Sequence, residues 1–101
     1  MAKHFENIWE EAEAQSFKAN SDKDIENILN NIKKQIDIYI KYKSSNIDSK
    51  LLFNLKSKKM GEILFNLSHI SKLENLNVAA CLNTATQQSK IKEIEDDEDV
   101  F

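Results

Sequence analysis

Apolar residues recur along most of this chain at the three-and-four spacing that lines one face of a helix. Phe5, Ile8, Trp9 and Ala12 form the first such stripe, with Glu6, Glu10, Glu11 and Glu13 largely off it. A helix from about Lys3 to about Phe17 follows. Ser21, with Asp24 three residues on, reads as a cap for the next helix. That helix is the clearest: Ile25, Ile28, Leu29, Ile32, Ile36, Tyr39 and Ile40 keep the period until Ser44-Ser45-Asn46. The third region opens near Ile47 with Leu51, Leu52 and Leu55, is interrupted by Lys56-Ser57-Lys58-Lys59, and resumes with Met60, Ile63, Leu64, Leu67 and Ile70. It is either one long helix carrying a basic turn or two helices, the second starting at Ser57. Asn77 reads as the cap of a last helix with Val78, Cys81, Leu82 and Ala85 on one face, fraying past Ile91.

Composition narrows the fold class. With no proline, one glycine and 41% apolar residues, the turn chemistry of a β-rich fold is missing. The expected architecture is all-α: an antiparallel bundle of three to four helices over residues 1–92, with 93–101 as a disordered acidic tail. A chain of 101 residues forms one domain with a thin core, so completion by homo-oligomerisation, as a dimer or higher, is expected. Trp9, Tyr39 and Phe65 read as core or interface residues, Cys81 as a buried small hydrophobe, and His69 as a satisfied surface or boundary histidine.

Charge is blocked rather than mixed. Residues 1–32 carry three lysines against seven acids, residues 33–59 eight against two, and residues 93–101 six acids and no base. A basic band thus lies between an acidic start and an acidic end. All fourteen basic residues are lysine, so no bidentate fork is available for phosphates or base edges, and specific nucleic-acid binding is not expected. The single cysteine excludes an internal disulfide. No apolar run approaches the ~20 residues of a membrane span and no signal peptide is apparent, which together point to a cytoplasmic protein.

One segment carries a resemblance. Met60-Gly61-Glu62-Ile63-Leu64-Phe65-Asn66-Leu67 runs through Ile70-Ser71-Lys72, turns at Asn75-Leu76-Asn77-Val78 and resumes at Ala80-Cys81-Leu82 and Ala85. It resembles the second half of the MazG-like all-α nucleoside triphosphate pyrophosphohydrolases, over about thirty residues. The resemblance implies Mg²⁺ held by carboxylates on facing helices, because a hard octahedral cation takes oxygen ligands and neutralises phosphate charge.

Carried over residue by residue, the resemblance makes Glu62 the acid that follows glycine and Asp37, the end of Lys33-Lys34-Gln35-Ile36-Asp37, the remnant of the first acidic motif. Lys59, Lys33 and Lys34 stand where further acids are expected, so they are candidates for phosphate contacts rather than metal ligands. Thr86 and Gln88 stand where the family often has asparagine and lysine. Glu10 and Glu13 of helix one are the available replacement acids. Two functions follow as expectations. One is a divergent MazG-like nucleotide pyrophosphohydrolase-fold protein with a degenerate site, catalytically weak or inactive, that binds nucleotide. The other is a helical homo-oligomeric interaction module with a basic band, an acidic tail and a terminal Val100-Phe101 pair available to a partner.

Overall fold

The computed structural model describes the backbone of residues 2–99 and the side chains of residues 4–93. It is all-α within that range: α1 spans Ala2–Ala19, α2 Ile25–Lys43, α3 Ser49–Leu73 and α4 Val78–Asp99. The basic turn at Lys56–Lys59 does not break the chain. With neither proline nor an internal cap to compete, its lysines project as long helix-forming side chains and α3 runs through as one helix.

Local chemistry sets each boundary. Asp24, not Ser21, caps α2: its carboxylate accepts from the Glu26 amide at 3.1 Å. Asp48 does the same for α3 through Leu51 N–H, and Asn77 caps α4 by accepting from Ala80 N–H at 3.0 Å. The α3 end is a left-handed cap without glycine. Asn75 sits at φ 56°, and Leu76 N–H reaches back to Ser71 carbonyl at 2.9 Å. α4 stays helical to Asp99, beyond the expected fraying at Ile91 and through the backbone of the acidic run. Val100 and Phe101 lie outside the described residues.

α3 is the axis of the bundle, and α1 and α2 both pack against it. Both run against its direction. Ascending from Trp9 to Ser16, α1 meets Ser71 and then Ser68. Ile28 and Ile32 of α2 form the core with Ile63, flanked by Ile70 and Leu73 of α3. α4 makes no comparable contact with any helix. Cys81 is accordingly exposed, not buried as its apolar face suggests.

The result is open. The radius of gyration is 17.0 Å, against roughly 13 Å for a compact domain of this length. No described helix is long and apolar enough to cross a membrane.

Candidate functional site

Two polar clusters lie on opposite flanks of α3. The first, facing α2, holds Glu62. Lys59 Nζ donates to Glu62 Oε2 at 2.8 Å, three residues earlier on the same helix. Gln35 of α2 donates its amide to the same oxygen at 3.4 Å and accepts from Asn66 Nδ2 at 2.8 Å. The Glu62 carboxylate beside it raises the Lys59 pKa above its ordinary 10.5, chiefly through that hydrogen bond, so the lysine is a firm cation.

This geometry separates the candidate ligands. Gln35 faces α3, and Asp37 is two residues on, about 200° around the helix, so its exposed carboxylate projects away from Glu62. Lys33 and Lys34 are exposed as well, whereas Lys59 is half-buried in its ion pair. Glu13 does not serve as a replacement. Its carboxylate accepts from Ser71 Oγ at 2.9 Å, nine residues and about 13 Å along α3 from Glu62. A lone carboxylate bonded to an ammonium is a poor donor set for Mg²⁺, which needs several oxygen ligands. Among the described residues no group of three or more His, Cys, Asp or Glu side chains converges.

The second cluster joins α1 to α3, and sequence reasoning missed it. Ser16, Ser68, His69 and Ser71 are all buried. Ser71 Oγ accepts from the Trp9 indole N–H at 3.2 Å, and its own proton is shared between the Glu13 carboxylate and the Ser68 carbonyl. Small hydroxyl side chains at these positions let the two helices approach. The only sequence signal was the spacing Ser68, Ser71 on α3 opposite Trp9, Glu13 and Ser16 on α1, which is also the spacing of any solvated face.

His69 departs most from expectation: it is 0% exposed rather than at the surface. Its Nε2 lies 2.8 Å from the Asp22 carbonyl, which requires a proton on Nε2, and its Nδ1 is buried without a hydrogen-bond partner among the described residues. The contact pins the α1–α2 loop to α3. Lys23 secures the other side of that loop, over the Phe17 ring at 3.6 Å and donating to the Phe17 carbonyl at the end of α1.

Beyond these clusters runs an apolar groove. Leu64, Leu67 and Ile70 of α3 form its floor, and its walls come from Phe5 and Trp9 of α1 and from the start of α4. Phe5 and Trp9 stack with ring centroids 6.0 Å apart. An adjoining cleft shares those two rings and is rimmed by Glu6, Glu10 and Glu13. No family model, curated protein or solved structure matches this chain.

Proposed function

We propose that this chain is a helical interaction module that works as a homo-oligomer, its core completed by a second copy. One observation carries the reading, the amount of apolar surface a single copy leaves open. The chain exposes 8073 Å², about 2,200 Å² more than the roughly 5,900 Å² expected of a compact monomer of its mass. That excess is in total area, the exposed polar surface of α4 included, and its size lies within what one subunit contributes to a large obligate interface, where both partners together bury about 2,000–5,000 Å². The buried apolar core is Ile28, Ile32 and Ile63, while Phe53, Leu64, Leu67 and Leu82 stay exposed. Surface of this kind on a small domain marks an interaction face.

Sedimentation equilibrium at micromolar concentrations tests the reading. A mass of at least twice 11.7 kDa is expected, and an 11.7 kDa species throughout would overturn it. Deleting residues 93–101 would show whether the acidic run also sets partner choice, by a change in the salt dependence of association.

A second reading, a nucleotide-binding relative of the MazG-like fold without efficient turnover, is favoured by one feature. Glu62 is turned toward α2, the helix that carries Asp37, although Gly61 lies within α3 and not at the start of a helix, where the resemblance has it. Calorimetric titration with nucleoside triphosphates, with and without Mg²⁺, is its test alongside pyrophosphate release. Heat that is lost in Glu62→Ala supports it. Absence of binding by every nucleotide removes it.

A further inference from the structure

The uncovered face of α3 is a continuous stripe. At 100° per residue, Phe53, Met60, Leu64 and Leu67 fall within about 60° of one another. All four are exposed, and Phe53, at 69%, is the most exposed large hydrophobic among the described residues. Phe5 and Trp9 of α1 and the start of α4 wall the groove over Leu64 and Leu67 but leave both side chains exposed.

Two five-turn repeats align the ends of the stripe with α1. Phe53 lies five turns before Ser71, the residue that holds Trp9, and Lys50 lies five turns before Ser68, which contacts Ser16 of α1. Lys50 is thus on α1's side of the stripe. The two ends differ in charge: residues 33–59 carry the lysine band, while the far end of α3 meets the Glu6–Glu10 rim of α1.

We propose that this stripe pairs antiparallel with the same stripe of a second copy, about a two-fold axis level with Glu62 and Ile63. The inference rests on the homo-oligomer reading and adds its face, direction and register. In that register Phe53 of each copy arrives level with Ser71 of the other and enters the groove end lined by Phe5 and Trp9. Met60 of one copy meets Leu64 of the other. A two-fold axis lying in the interface keeps each copy's α1 side on the same side, so Lys50 faces Glu6 and Glu10 across the contact. A parallel pairing would instead bring lysine band against lysine band and acidic rim against acidic rim, and like charges so placed oppose association. An isologous contact of this kind closes at the dimer.

The test combines an apolar break with a charge swap, read by sedimentation and checked for helicity by circular dichroism. Phe53→Asp alters a solvent-exposed side chain of the single copy, so helicity is kept while the dimer dissociation constant rises by about tenfold or more. Lys50→Glu in one chain and Glu6→Lys/Glu10→Lys in another should each weaken self-association by up to about fivefold. Mixed together, the two charge variants should form a heterodimer as tight as the wild-type dimer. A wild-type chain that stays monomeric would sink both the oligomer reading and this proposal. A dimer indifferent to Phe53→Asp would overturn the proposed face and leave the oligomer reading standing. Charge variants that associate no better mixed than alone would overturn the antiparallel register.

Discussion

What α3 buries against its two neighbours differs in material, since the Lys59–Glu62–Gln35–Asn66 cluster on the α2 side is only part-buried. Toward α2 it presents Ile63, Ile70 and Leu73, and Ile28 and Ile32 close over them without a polar atom in the buried core. Toward α1 it presents Ser68, His69 and Ser71, and the partners are a serine, a glutamate, an indole N–H and a loop carbonyl. The apolar flank gains from removing surface from water, a force without direction. The polar flank gains little net energy per bond, yet each bond demands one geometry and leaving it unmade is costly. Stability therefore resides mainly on the α2 side, and the position of α1 is fixed by hydrogen bonds.

The largest effect expected from breaking this contrast is on the apolar flank. Ile32→Ala removes buried methyl groups from a core of three isoleucines and should cost about 2–5 kcal/mol in urea unfolding at fixed protein concentration. On the polar flank, His69→Ala opens a cavity and orphans the Asp22 carbonyl. A loss of about 2–3 kcal/mol is expected, with hydrogen exchange quickening over residues 20–24 while the α2–α3 core keeps its protection. Ser71→Ala leaves Trp9 Nε1–H and Glu13 without their shared partner, and about 1 kcal/mol should be lost. If Ser71→Ala costs as much as Ile32→Ala, the contrast between the flanks is wrong.

The smallest effect concerns pH. Lys59 has its pKa raised above 10.5 by Glu62, so the ion pair's contribution is fully present below the ordinary lysine value. It is lost only as pH climbs through the raised value. Unfolding midpoints should therefore show no pH dependence from this pair across neutral pH, where its contribution is constant, and Lys59→Met should flatten only the alkaline limb.

Much of the fold was legible because helix periodicity is a local property. The stripes of α1 and α2, the Asn77 cap and the all-α class follow from spacing, cap chemistry and composition alone. The continuity of α3 was left open, because lysines in a helix and lysines in a linker look alike until something breaks the helix, and nothing there does. The site was less legible. Glu62 and Asp37 are acids on two helices that pack together, but a two-residue offset on α2 puts Gln35, not Asp37, against α3.

His69 and Cys81 show the limit from both sides. A histidine among polar neighbours became the most buried large side chain because the α1–α2 loop folds over it. A cysteine on an apolar face stayed open because α4 has no helix packed along it. By itself the sequence determined the helical stripes, the Asn77 cap and the blocks of charge, all of which depend on neighbours within a few residues. The tertiary structure alone decided which faces are covered, which polar side chains meet and how much apolar surface stays exposed. Those outcomes depend on residues brought together across tens of positions, whose partners no local pattern specifies.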